Sequence, residues 1–265
     1  MRNQRIPAVL SIAGSDSGGG AGIQADLKAF ARCGVHGMTA ITAITAQNTV
    51  GVLGVEPITP ETVVAQVRAV AEDIGIDAVK IGMLGTAATV EAVIEALGLV
   101  GEAPVVIDPV MVAESGAVLL DREARRALIE RLLPLTTVAT PNLPEARALT
   151  GAGEGESQEE LARGVLALGP KFVVVTGGHS EHLVDLFYDG ERAVEIPGEH
   201  HPDGAAHGSG CTHSSALAAF LARGFEPLEA AQRARAVASA AVGAGLREIG
   251  RGPGPVNVFG EEFVQ

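Results

Sequence analysis

The sequence predicts a three-layer α/β/α fold, built as one domain on a mostly parallel central sheet with an antiparallel edge hairpin. Three observations predict it. Short β-rich runs alternate with longer amphipathic stretches, the pattern of a parallel sheet covered by helices on both faces. A late Asp189-Gly190 pair between two strand-like runs marks a tight hairpin turn. A hydrophobic share of 47% over 265 residues, with a mean hydropathy of +0.28, supplies ample core for a chain of this size.

Taken in order, residues 6–13 faintly imitate a signal peptide behind Arg2 and Arg5, but the run is short and continues into glycines, so residues 8–13 read as a first buried strand. Ile23, Leu27 and Phe30 then fall on one helical face. Residues 39–46 form the second strand, and Val63, Val67, Val70 and Ile74 mark a helix that Pro60 is well placed to begin. Further strands are expected at residues 78–82, 104–108, 137–140 and 172–176, and residues 183–188 with 193–196 make the hairpin. Two Ala-rich helices follow Cys211, split near residues 224–227, before a Gly/Pro-rich tail at 250–255. No repeat, linker or charge block interrupts this pattern, so residues 1–265 are expected to form a single domain.

Charge and cysteine usage narrow the function. A net charge of −13 and a pI near 4.9 argue against nucleic acid or an anionic membrane as partner, since phosphate backbones need Lys and Arg opposite them. No apolar stretch is long enough to span a bilayer. The two cysteines, Cys33 and Cys211, lie far apart, which favours a reducing cytoplasm over a disulfide scaffold. A small-molecule partner is expected.

The most informative segment is His207-Gly208-Ser209-Gly210-Cys211-Thr212. Its glycines let the backbone fold around an anion, and the helix that begins there aims free N–H groups into the turn. Cys211 at that helix start is expected to be a thiolate; the bland alternative is a small buried hydrophobe after an ordinary loop. Residues 14–22 form a second glycine-rich turn, which lacks the Lys-Ser/Thr of a P-loop and the spacing of a dinucleotide fingerprint; close backbone approach to a small substrate remains. Gln47 ends the second strand and offers a donor and an acceptor to the edge of an aminated ring, or else lies in a solvated turn. Lys80 interrupts an apolar strand, so its charge should have a partner, and Met83 after it reads as pocket lining or core. Asp108, Asn142 and Glu145 at strand ends can hold magnesium through its waters, or cap helices. Four histidines near Cys211 match no familiar zinc pattern.

Together, Ala13-Gly14-Ser15-Asp16, Gly19-Gly20-Ala21-Gly22-Ile23-Gln24-Ala25-Asp26-Leu27, Ala46-Gln47-Asn48-Thr49, Lys80-Ile81-Gly82-Met83-Leu84, Thr140-Pro141-Asn142-Leu143-Pro144-Glu145, the Cys211 segment and Gly254-Pro255-Val256-Asn257 resemble the hydroxymethylpyrimidine and phosphomethylpyrimidine kinases of thiamine biosynthesis, in the ribokinase-like superfamily. The resemblance runs from about residue 8 to 257. It implies ATP as co-substrate, Mg2+, and two successive phosphorylations of a hydroxymethylpyrimidine. Gln47 would bond the aminopyrimidine edge, with Gly14, Ala21, Met83 and Val110 around the ring. Cys211 would stand where sugar-kinase relatives carry an aspartate base, and Gly208, Ser209, Gly210 and Cys211 would form the anion hole. Asp108, Asn142 and Glu145 would organise magnesium, while Thr176, Gly177, Gly178 and Val256 would line the nucleotide. A homodimer is expected, because superfamily kin often dimerise. Two residues depart from the family pattern: Ser209 replaces its usual threonine, and Thr176 its usual lysine. Pyridoxal kinase on the same fold, or a non-catalytic pyrimidine or nucleotide sensor, are the alternatives.

Overall fold

A computed structural model describes residues 5–112, 116, 119–177, 183–202 and 204–260. Among the described residues nine strands form one sheet: β1 (Ala8–Asp16), β2 (His36–Gln47), β3 (Val52–Pro57), β4 (Ala78–Ile81), β5 (Val105–Ile107), β6 (Val138–Ala139), β7 (Phe172–Val175), β8 (Val184–Tyr188) and β9 (Ala193–Pro197). Their order is β3-β2-β1-β4-β5-β6-β7-β8-β9. The stretch from β2 to β7 is parallel, and β3 at one edge and the β8–β9 hairpin at the other are antiparallel. This is the mostly parallel sheet with an antiparallel edge hairpin that the pattern predicts.

Period-two alternation divides the core. From β1, Val9 faces a layer of α1 (Gly22–Arg32), α7 (Ser209–Ala222) and α8 (Pro227–Gly243), where Phe30, Leu217 and Ala234 are buried. Its neighbours Leu10 and Ile12 face the opposite layer, formed by α2 (Pro60–Asp73), α3 (Ala87–Leu97), α4 (Arg122–Ala127), α5 (Leu143–Thr150) and α6 (Gln158–Leu166). Strands buried on both sides explain the near-continuous Val/Ile runs.

The chain steps from β1 outward to β2, then returns across β1 to β4, so the connections diverge between β1 and β4. Ligands in open α/β sheets collect at such a switch point, beyond the carboxyl ends of the strands. The loops that follow β1, β2, β4, β5 and β6 all open toward that end.

Two boundaries differ from expectation. β1 continues through Gly14 and Ser15 to Asp16, with a register shift between Ala13 and Ser15, where a loop was expected. Asp16 then turns the chain: its carboxylate accepts the N–H groups of Gly18, Gly20 and Ala21 at 2.7–3.0 Å. The edge strand β3 was not expected at all. It is exposed along nearly its whole length, so it lacks the buried face that produces alternation.

Candidate functional site

A cavity of about 900 Å³ opens at the switch point and reaches along α7 to α8. At its β1–β2 end the floor is Gly14, on which Met83 packs so closely that a Cβ at Gly14 would lie 2.6 Å from Met83 Cε. Ala21, Val110 and Gln47 join them in the lining. The single proton of Thr45 Oγ1 is directed at both Ser15 O (2.9 Å) and Gln47 Oε1 (3.1 Å), which steadies the half-buried Gln47 amide while its NH2 group remains for a ligand.

The first turn of α7 forms another wall. Gly208 adopts a left-handed conformation (φ +85°), and a Cβ there would come within 1.8 Å of Gly20 O, so two glycine loops meet backbone to backbone. Ser209 N–H is taken by Ala206 O and Thr212 N–H by Gly208 O, both at 2.9 Å. Among the described residues no acceptor takes the N–H of Gly210 or Cys211. Two first-turn donors at the positive end of a helix therefore face the cavity.

Cys211 does not behave as the expected thiolate. Burial pushes its thiol up to about 12, and the charges of Asp26 and Asp108 add to that; the Lys80 ammonium and the Gly22 N–H pull the other way and lose. Dipole and local sequence favour ionisation, but burial in the fold overrides them, with the carboxylates of Asp26 and Asp108 adding to it. At neutral pH a thiol so raised is protonated.

Behind Cys211 lies the partner expected for Lys80. Lys80 Nζ sits 2.8 Å from Asp26 Oδ1, and both side chains are fully buried. Ser215 donates to Asp26 Oδ1 at 2.7 Å and Ser11 to Oδ2 at 2.6 Å, which completes the carboxylate's bonding. Burial disfavours the ammonium, yet Asp26, with Cys211 and Asp108 nearby, outweighs it and Lys80 holds its proton more tightly than usual.

Asp108, Asn142 and Glu145 also line the cavity. Asp108 accepts from Ser214 Oγ at 3.2 Å. Asn142 caps α5: its Oδ1 accepts Glu145 N–H at 2.9 Å, and Glu145 Oε2 accepts Asn142 N–H at 3.0 Å, a reciprocal capping box. The capping box fixes Asn142 and Glu145 at the cavity, where with Asp108 they make up the set expected to organise a metal. Burial first and the Asp108 charge second push Glu145 up to about 8; Asp108 is raised too, chiefly by burial. Two hard oxygen donors that repel one another suit Mg2+, which prefers one or two carboxylates with water and phosphate oxygens. Among the described residues no cluster of three His, Cys, Asp or Glu forms a closed metal cage, zinc included.

Of the residues expected at the nucleotide, Thr176 lines the cavity beside Asn142. Gly177 donates its N–H to Asp185 Oδ1 at 2.9 Å. Val256 is buried with Ala241 and Val258, and its N–H bonds His207 O at 3.0 Å, behind the cavity wall. Gly178 lies outside the described residues. Sequence reasoning missed Asp185 and Arg235 and noted His213 only among the four histidines near Cys211; all three line the same cavity. The available signal was a lone acid, Asp185, in an otherwise apolar strand, the same signal that singled out Lys80.

Residues 16–257 match the family model for phosphomethylpyrimidine kinase. The chain belongs to that family. It is 50% identical over 256 residues to the hydroxymethylpyrimidine/phosphomethylpyrimidine kinase of Rhizobium meliloti, covering 94% of this chain and 96% of that one. The enzyme of the same name from Bacillus subtilis is 44% identical, with 96% and 95% covered. Among solved structures, the ADP complex of Bacillus subtilis pyridoxal kinase superposes with a TM-score of 0.89 at 40% identity over 98% of this chain and 100% of that one. The phosphomethylpyrimidine kinase of Clostridium difficile gives 0.76 at 41% identity over 88% and 97%. The ribokinase-like architecture expected from the motifs is thus the one its structural neighbours share.

Proposed function

We propose that this member of the phosphomethylpyrimidine kinase family transfers the γ-phosphoryl group of ATP to the hydroxymethyl oxygen of 4-amino-5-hydroxymethyl-2-methylpyrimidine, and then a second one to the resulting monophosphate. The observation that carries the reading is a single cavity. It puts a ring-sized floor (Gly14, Ala21, Met83) and the Gln47 amide in the same enclosure as the unpaired N–H groups of Gly210 and Cys211 and the Asp108–Glu145 carboxylates. In each step the acceptor oxygen bonds to the γ-phosphorus while the bond to the β–γ bridging oxygen breaks, releasing ADP. Charge on the transferring group is met by the Gly208, Ser209, Gly210 and Cys211 turn, and preorganised donors of this kind are the main lever in phosphoryl transfer. Asp108 and Glu145 would hold Mg2+, which when bound neutralises phosphate charge.

The alcohol must also lose a proton, whereas a phosphate monoester, with a second pKa of about 6, is already an anion. Cys211 is the group we assign to that proton. A thiol raised to about 12 can accept it only from its minor ionised form, so the alcohol step is the one that depends on generating the thiolate. The reading carries with it a single kinase domain over residues 1–265, a cytoplasmic setting and a homodimer.

Turnover with ATP, followed by phosphate-transfer mass spectrometry on the alcohol, its monophosphate and pyridoxal, tests the proposal. Phosphorylation of both pyrimidines is the expected result; ATP consumption on neither sinks it. Pyridoxal is the second acceptor to include, favoured by the 0.89 TM-score to a pyridoxal kinase.

A further inference from the structure

One stretch of the cavity wall is made of buried polar atoms without partners. Asp185 on β8 is fully buried; its Oδ1 accepts Gly177 N–H at 2.9 Å and lies 3.4 Å from Arg235 Nη1 on α8, while its Oδ2 lies 3.5 Å from His213 Nε2 on α7. Among the described residues no hydrogen bond forms to Asp185 Oδ2, to either ring nitrogen of His213, or to Arg235 Nε. Native structures leave few such atoms, and four of them gathered in the wall of one cavity call for a ligand. The guanidinium is not free to swing away, since Arg235 Nη2 is anchored on Leu183 O at 2.6 Å.

The chemistry of the missing partner follows from charge. Arg235 Nε and a protonated imidazole offer donors, so the ligand brings acceptors. The cavity is otherwise acidic, lined by Asp16, Asp108, Glu145, Asp185 and Glu199. Its permanent cations among the described residues are Lys80 and Arg235, and Lys80 is enclosed with Asp26. Arg235 is the one left for a polyphosphate. Asp185 Oδ1 also ties it to Gly177, next to the uncharged Thr176.

We propose that His213 and Arg235, held by Asp185, form the cationic contact to the phosphates of the nucleotide, and that His213 takes up a proton when those phosphates arrive. The inference rests on the kinase reading above. Without a ligand, Asp185 and Arg235 cancel, and burial holds His213 below the ordinary imidazole range despite the nearby carboxylate. A phosphate anion restores the reason to be charged. The groups facing the imidazole are Asp185 from β8 and Arg235 from α8. Farther along the wall stand Glu199, His200 and His201, the last of these 2.9 Å from Ser239 Oγ.

The test is calorimetric titration of the full chain, free of magnesium, with ADP, inorganic tripolyphosphate and adenosine, in buffers of different ionisation enthalpy at about pH 6 and about pH 8, either side of the ordinary imidazole pKa of about 6.5. ADP and tripolyphosphate should bind about tenfold more tightly at the lower pH, with proton uptake, relative to His213→Leu, in which both effects vanish; adenosine should show neither. Adding Thr176→Lys to His213→Leu should restore phosphate affinity without the proton uptake. His213→Gln gives the same readout if the leucine variant misfolds. Unchanged ADP affinity and proton uptake in both His213 variants overturns the proposal, as does a pH dependence carried by adenosine, which would assign the cluster to the base. A parent chain that binds no ADP overturns the kinase reading as well.

Discussion

Two buried carboxylates flank α7, and they are finished to different degrees. Asp26 receives Lys80, Ser215 and Ser11, so every charge in that cluster is matched within the protein. Asp185 receives the Gly177 N–H and the edge of a guanidinium, while among the described residues one of its oxygens and the facing imidazole remain unmatched. The first cluster joins β1, β4, α1 and α7 beneath the reacting end of the cavity. The second leaves its valences open to the cavity's interior. A completed network holds a fold, and an incomplete one holds a place for something else.

Breaking the completed cluster should have the largest effect. Lys80→Met strands a fully buried Asp26 carboxylate and should cost about 3–5 kcal/mol in denaturant unfolding. A loss under about 1 kcal/mol would mean the pair is solvated in solution and the contrast is false.

Between the two clusters, Cys211→Ala should slow phosphorylation of the alcohol by about 100-fold and that of the monophosphate much less. The pH dependence sharpens this. Below a thiol pKa of about 12 the thiolate fraction grows tenfold per unit, so the parent's single-turnover rate on the alcohol should climb through the neutral and alkaline range. The variant's should not. Equal losses on both acceptors would show that Cys211 acts through the shape of the turn.

Gln47→Ala removes ring recognition without touching either cluster. The Michaelis constant for the pyrimidine should rise about tenfold or more, from about 1–3 kcal/mol per unpaired ring group, and that for ATP should stay put. Steady-state kinetics on both substrates decides it.

The smallest expected effect is the one most diagnostic of incompleteness. His213→Leu exchanges a buried imidazole with two unpaired nitrogens for an apolar side chain, so thermal unfolding should show stability unchanged or raised by about 1 kcal/mol. A large loss would mean that His213 is already matched, like Lys80.

Much of the sheet was legible because strands buried on both faces write themselves as apolar runs, and Pro60 and Asp189-Gly190 punctuate as their chemistry requires. β3 escaped because an exposed edge strand has no face to bury. The cavity lining was legible where a residue's type and its place at a strand end agreed, as for Gln47 and Asp108. What failed were properties set by neighbours remote in sequence. Cys211 looked like a thiolate beside its own helix start, but the fold buries it and brings Asp26 and Asp108 near it. Asp185 sat in view inside a hairpin strand and was passed over as part of the hairpin.

The contact between Gly208 and the Gly20 carbonyl has an evolutionary reach. A β-carbon at position 208 would overlap that oxygen, and one at position 20 would lie 2.2 Å from His207 Cδ2. Two loops encoded near opposite ends of the chain are therefore locked to each other's dimensions. Neither can accept a side chain or a backbone shift by itself, so the ring-holding turn and the phosphate-holding turn must change together or stay as they are.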